Sequence, residues 1–140
     1  MEINYSYETD FALSKEEEYS DWIYRVLVSE GFVLEELSYV FCDDNYLLAL
    51  NQEYLNHDTF TDIITFDYCE GKKVYGDIFI SIERVKDNAE THHVGFLDEL
   101  KRVMVHGLLH LMGYGDKLEE EVLRMRKKEE EKMKLFHVEH

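Results

Sequence analysis

The segment Val105-His106-Gly107-Leu108-Leu109-His110-Leu111-Met112-Gly113-Tyr114-Gly115-Asp116 constrains this chain more than any other stretch. His106 and His110 are four residues apart, so on a helix their rings stand on one face, one turn apart. That geometry offers two imidazole nitrogens to a single metal ion. Gly113 supplies the residue that most readily ends a helix, because only glycine takes the left-handed conformation there without a Cβ penalty. The chain must then turn, and Asp116 arrives ten residues after His106 as a third, oxygen ligand. Three protein ligands leave one coordination position open, which is the plan of a catalytic zinc site.

With seven histidines in the chain, a single i, i+4 pair would be weak evidence by itself. The Gly113 stop, the placement of Asp116 and the apolar residues Leu108, Leu109, Leu111 and Met112 around the rings strengthen it. Two imidazoles buried among leucines need polar partners, and a metal satisfies both. The spacing also matches the His-x-x-x-His-x-x-Gly layout of metzincin proteases. In those enzymes a glutamate follows the first histidine and acts as general base, whereas Gly107 has no side chain. The segment therefore predicts a metal site without the protease base.

A chain of 140 residues with 45% hydrophobic and 14% aromatic content can build one core and is not disordered. One domain over 1–140 is expected. No apolar run of about 20 residues and no charged-then-apolar leader is present, so neither a membrane span nor a signal peptide is expected. Cys42 and Cys69 make no disulfide framework and no Cys-x-x-Cys motif, which suits a reduced, cytoplasmic protein. The net charge of −16 runs against unspecific nucleic-acid binding, which depends on Lys and Arg. Any nucleic-acid substrate would have to be held by a local patch, a metal or a partner protein.

Ile3, Tyr5 and Tyr7 alternate with polar residues and predict a first strand with one buried face. Ser14 with Glu17 reads as a capping box opening a helix that buries Trp22, Ile23, Val26 and Leu27 and ends at Gly31. A second strand is expected over Leu37–Cys42, then a helix capped by Asp43 or Asp44, with Tyr46, Leu47, Leu50 and Tyr54 on its apolar face. The polar loop 56–62 holds His57, Asp58 and Asp62, read here as turn residues rather than as a second ligand cluster. Ile63 to Tyr68 and Val74 to Ser81 predict an antiparallel strand pair joined by a turn at Glu70-Gly71-Lys72-Lys73. Gly76 inside the second of these marks a bulge or a close approach.

A helix with Ile82, Val85 and Ala89 on its core face follows, and His92 and His93 at its end are read as surface residues. Phe96–Met112 is expected as the long central helix, with Leu97, Leu100, Val103, Met104 and Leu108 facing the core. Leu118–Leu135 reads as a final, solvated helix carrying a basic cluster at Arg124, Arg126, Lys127 and Lys128, and residues 136–140 as a frayed tail. The element order predicts an α+β (α/β-like) fold. A small four-stranded mixed sheet carries packed helices, and the metal site sits at the end of the central helix. The cleft near Thr61, Asp62 and Gly76 is expected to face the metal.

Three blocks resemble the YbeY family of bacterial rRNA maturation factors. Leu50-Asn51 through Tyr54 with Thr61-Asp62-Ile63-Ile64-Thr65-Phe66 is the first, and Gly76-Asp77-Ile78-Phe79-Ile80-Ser81 the second. His106-Gly107-Leu108-Leu109-His110-Leu111-Met112-Gly113-Tyr114 is the third and most specific. The family pattern usually continues Asp-His, so Asp116 stands where a third histidine ligand is usual. A carboxylate is a sound zinc ligand, though a harder and more anionic one. Leu55 stands where the family usually has an arginine implicated in activity, and Phe60 where it has a proline.

The resemblance implies a metal-dependent endoribonuclease in rRNA maturation and ribosome biogenesis. Its partners would be precursor rRNA and ribosomal components, not DNA and not a membrane. One divalent ion, zinc, would be held by His106, His110 and Asp116 to acidify water and polarise a phosphate oxygen. The catalytic residues are not assigned by the sequence, Asp62 and His57 being candidates for acid–base work. The alternative is a ribosome-associated assembly or binding protein with weak or no nuclease activity, which Leu55 and the acidic charge favour.

Overall fold

The structure, a computed structural model, describes residues 2–54 and 61–137. Strand β1 (Glu2–Tyr7) leads through helix α1 (Glu16–Ser29) to β2 (Val33–Cys42) and helix α2 (Asp44–Tyr54). The hairpin β3 (Ile63–Asp67) and β4 (Lys73–Ser81) follows, then α3 (Ile82–Thr91), α4 (Phe96–Leu111), α5 (Glu119–Met133) and a 3₁₀ turn over Lys134–His137. The sheet order is β1-β2-β4-β3. β1 and β4 run parallel to β2, and β3 runs antiparallel to β4, which gives the mixed four-stranded sheet the sequence predicts.

Alternation along the strands divides the interior. Leu37, Tyr39, Phe41, Val74, Ile78 and Ile80 point into the main core beneath α1 and α4, while Cys42, Ile64, Phe66 and Phe79 pack under Leu47 and Leu50 of α2. β2 begins four residues earlier than its apolar run suggests. A register shift between Leu34 and Glu36 inserts one residue, which keeps both Leu34 and Leu37 on the core face. That extra residue breaks the period-2 pattern, so the start of the strand is hidden in the sequence.

Several local expectations hold. Gly31 takes φ +75 after α1, Asp43 Oδ1 accepts the Tyr46 N–H at 2.8 Å, and Gly71 takes φ +56 in the β3–β4 turn. Ile82, Val85 and Ala89 are buried on α3, and His92 and His93 are exposed. Both cysteines are free, and burial pushes the Cys42 thiol up to about 12, which leaves it unreactive.

Three expectations are corrected. The Ser14–Glu17 capping box does not form: Lys15 is the N-cap residue at φ 63, with no side-chain cap. Glu16, Glu17 and Glu18 instead meet the positive end of α1, and Tyr7 Oη–H donates to Glu16 at 2.5 Å. Leu97 is 53% exposed rather than core-facing. The inner side of that turn is filled by Leu100 and by Phe96, whose ring meets Phe11 at 5.8 Å. The C-terminal segment is not frayed as far as His137. Phe136 stacks edge-on against Tyr19 and Trp22, Trp22 Nε1–H donates to the Lys132 carbonyl, and Arg25 donates to the carbonyls of Leu135 and Phe136. Those contacts cap the end of α5, and their long sequence separation made them invisible to local patterning.

Two glycines let α4 lie close on the sheet. A Cβ at Gly107 would come within 2.7 Å of Ile63 Cδ1 and 3.0 Å of Ile78 Cγ2. A Cβ at Gly76 would meet the Phe66 carbonyl oxygen at 2.6 Å and Leu111 Cδ1 at 3.1 Å. The Phe66 carbonyl is backbone and cannot swing aside. Gly76→Ala is therefore expected to destabilise the fold by about 1–3 kcal/mol, read as a lower urea midpoint with unchanged slope. An unchanged midpoint would show that β3 can move away from β4 at no cost.

Candidate metal centre

The site is assembled at the C-terminal end of α4. Met112 ends the helix and Gly113, at φ +100, reverses the chain. Gly113 N–H donates to the His110 carbonyl and Tyr114 N–H to the Leu109 carbonyl, both at 3.0 Å, which is a Schellman motif. The turn brings Asp116 back over the histidine face. Glu121 then fixes the outgoing chain, its Oε1 accepting the N–H groups of Lys117 and Leu118 at 3.2 and 3.0 Å.

His106, His110 and Asp116 converge as the sequence predicts. His106 Nε2 and His110 Nε2 are 3.0 Å apart, and Asp116 Oδ2 lies 3.1 Å from His110 Nε2 and 3.3 Å from His106 Nε2. Ligands around a tetrahedral zinc at about 2.0–2.1 Å stand roughly 3.3 Å from one another, so the spacing fits one small cation. The outer nitrogens define the ring states. His110 Nδ1–H donates to the Tyr114 carbonyl at 2.9 Å, and that carbonyl can only accept. His106 Nδ1 stands 2.6 Å from Glu129 Oε2. With both Nδ1 atoms donating outward, both neutral rings turn a bare Nε2 lone pair toward a carboxylate oxygen. Three acceptors without a donor repel one another, and a cation between them removes the conflict. These residues could hold a metal ion.

The rings are mostly buried, at 21% and 26% side-chain exposure, with Asp116 at 37%. Burial pulls the His106 pKa down, but the Glu129 carboxylate, followed by Asp116 and Asp62, outweighs it and leaves the ring above its usual range. A groove of about 210 Å³ opens beside the site between His106, Asp116, Val122, Met125, Arg126 and Glu129.

Asp62 lies near enough for its charge to act on His106 and Glu99, and its Oδ2 accepts Asn88 Nδ2–H at 3.2 Å. It is therefore beside the group that could hold a metal but not part of it. His57, Asp58, Leu55 and Phe60 lie outside the described residues. Gly76 meets Leu111, at the end of α4, rather than His106, His110 or Asp116. Gly107 faces the sheet, so a glutamate there would be driven into Ile63 and Ile78, and the position has no room for the protease base.

Glu129 is the residue that sequence reasoning missed. The charge pattern predicts a solvated final helix, yet Met125, Glu129 and Lys132 are buried on it. A buried stripe at i, i+4, i+7 is a detectable signal, but here it is masked by the surrounding run of charge.

The family model described as endoribonuclease YbeY matches residues 4–137. The chain belongs to the YbeY family. Proteins named endoribonuclease YbeY from Flavobacterium psychrophilum and Flavobacterium johnsoniae are 55% and 54% identical to it. The first alignment covers 97% of each chain, and the second covers 98% of this chain and 99% of the relative. A solution structure of a Thermotoga maritima protein superposes with a TM-score of 0.69 at 23% identity, covering 96% of this chain and 89% of that one, which supports the fold. The three sequence blocks thus pointed to the right family, whose name is that of an RNA-cleaving hydrolase. Among the described residues no helix is long and apolar enough to cross a membrane.

Proposed function

We propose that this YbeY-family chain is a metal-dependent endoribonuclease of rRNA maturation, acting on precursor rRNA with ribosomal components in the cytoplasm. One divalent ion, zinc by the ligand types, is held by His106 Nε2, His110 Nε2 and the Asp116 carboxylate. The observation that carries this reading is the convergence of His106 Nε2, His110 Nε2 and Asp116 Oδ2, with the outer Nδ1 of each histidine engaged by Glu129 and by the Tyr114 carbonyl. When bound, the ion supplies Lewis acidity toward a phosphate oxygen and acidifies water.

The chain's own residues do the rest. The Tyr114 carbonyl holds His110 in the tautomer that leaves Nε2 free. Arg126, exposed on the groove beside His106 and Asp116, places a guanidinium where a phosphate would approach. In a chain of net charge −16 such a local cation matters, because the surface as a whole repels a phosphate backbone. Asp62, a carboxylate near the three residues that is hydrogen-bonded to Asn88 rather than to either histidine, is the candidate for proton transfer.

Elemental analysis of the purified protein and of Asp116→Ala, paired with cleavage of precursor rRNA, tests the reading. About one zinc per wild-type chain, lost together with cleavage in the variant, is expected. A folded wild-type protein that takes up no zinc would overturn it. The acidic charge favours one other reading, a ribosome-associated assembly protein with little nuclease activity. A zinc-loaded wild type that binds the ribosomal partner and leaves the RNA intact would establish that instead.

A further inference from the structure

We propose that Glu129, itself held by Arg102, is a positioning residue of the metal centre that sets the tautomer and aim of His106. Glu129 comes from α5, an element that contributes no ligand, yet its Oε2 lies 2.6 Å from His106 Nδ1. Its side chain is only 8% exposed, so solvent screens the contact weakly. An ionised carboxylate can only accept, so the Nδ1 proton is fixed on the ring and Nε2 is left bare toward His110 and Asp116. Without that partner, neutral imidazole is free to carry its proton on Nε2, where it blocks a cation.

Arg102 completes the device. Its Nη1–H donates to Glu129 Oε1 at 3.1 Å, so the two carboxylate oxygens are divided between one cation and one ring. Arg102 Nε also approaches Glu99 Oε1, but at 3.7 Å, and that buried oxygen has no hydrogen-bond partner among the described residues. The arginine is thus committed to Glu129 at the expense of Glu99. Its position on α4, one turn before His106, explains the arrangement: Arg102 and His106 share a helix face and grip one carboxylate from α5 between them. α5 therefore docks on the ligand helix through the same group that orients the ligand. Removing a carboxylate partner from a metal-bound histidine typically lowers metal affinity 10- to 100-fold.

The inference rests on His106 being a ligand, and the test separates the two. Zinc affinity would be titrated for wild type, Glu129→Leu and Glu129→Gln, and the His106 tautomer would be read by ¹⁵N NMR of the metal-free proteins at alkaline pH, where the rings are neutral. Glu129→Leu keeps the volume and removes the acceptor. It should weaken zinc binding 10- to 100-fold and shift the His106 proton from Nδ1 toward Nε2. Glu129→Gln keeps an acceptor oxygen without the charge and should fall between the two. If Glu129→Leu does not fold, Glu129→Gln carries the test alone, with several-fold weaker binding expected. Equal zinc affinity and an unchanged tautomer in the folded variants would overturn the proposal. A tautomer shift in a protein that never binds zinc would uphold the positioning of His106 and overturn the metal reading instead.

Discussion

His110→Ala is expected to abolish RNA cleavage, by about 10³-fold or more, while leaving the metal-free protein as stable as wild type. The two halves of this result have separate causes. A bound divalent ion is worth several kcal/mol of transition-state charge stabilisation, and at about 1.4 kcal/mol per tenfold that is three decades or more of rate. His110 is the central ligand, since its Nε2 lies within 3.1 Å of both other ligand atoms. Its loss leaves His106 and Asp116, two donors that cannot close around an ion. In the metal-free protein the same ring is one of three crowded acceptors, so the repulsion relieved by removing it offsets the lost packing and the lost hydrogen bond to the Tyr114 carbonyl. Thermal melts with and without zinc check both halves. Wild type should gain stability with zinc, because an ion that binds only the folded chain stabilises it by mass action, and His110→Ala should not. Cleavage retained in the variant would move the chemistry away from this centre.

The convergence of His106, His110 and Asp116 was legible because it is local. His106, His110, Gly113 and Asp116 sit within one helical turn and one reversal, where spacing translates directly into geometry. The sheet was legible for a similar reason, each strand being a short apolar run bounded by turn residues. The parts that sequence hid are those fixed by contacts across the chain. Glu129 lies in a run of three glutamates whose individual fates depend on which face of α5 meets α4. Phe136 is secured by Tyr19, Trp22 and Lys101, all more than 30 residues away. The failed capping box shows the converse error: Ser14 and Glu17 satisfy a local pattern, but the contact of Tyr7 with Glu16 and the acidic first turn set the start of α1 instead.

Glu30 carries the second large effect, and it links stability to the same centre. It stands just after α1, and its largely buried carboxylate gathers three partners from the far end of the chain. Tyr114 Oη–H donates to Oε1 at 2.6 Å, and Lys132 and Lys128 approach Oε2 at 2.7 and 3.2 Å. Burial alone would raise its pKa, but Lys132, Tyr114 and Lys128 together hold it down to about 2. A folded-state pKa below the unfolded value contributes stability that is full above about pH 4.5 and is lost as pH falls toward 2. The shift corresponds to something on the order of 3 kcal/mol.

Glu30→Ala removes that contribution and strands Lys132, whose side chain is 4% exposed. Breaking one half of a buried pair costs about 3–5 kcal/mol. Glu131 remains 2.8 Å from Lys132, but it is 56% exposed, so it offsets only part of the loss and places the effect near the lower bound. Denaturant unfolding at pH 7 should show the drop, and the difference from wild type should shrink as both are taken from pH 4.5 toward 2. A difference that stays constant over that range would mean the carboxylate's charge is not what stabilises. The consequence reaches the metal because Tyr114 has two roles. Its hydroxyl is tied to Glu30 while its carbonyl fixes His110 Nδ1, so a loosened Tyr114 side chain frees the backbone that aims a ligand. Zinc affinity in Glu30→Ala should therefore fall along with stability, even though Glu30 touches none of the three ligand side chains.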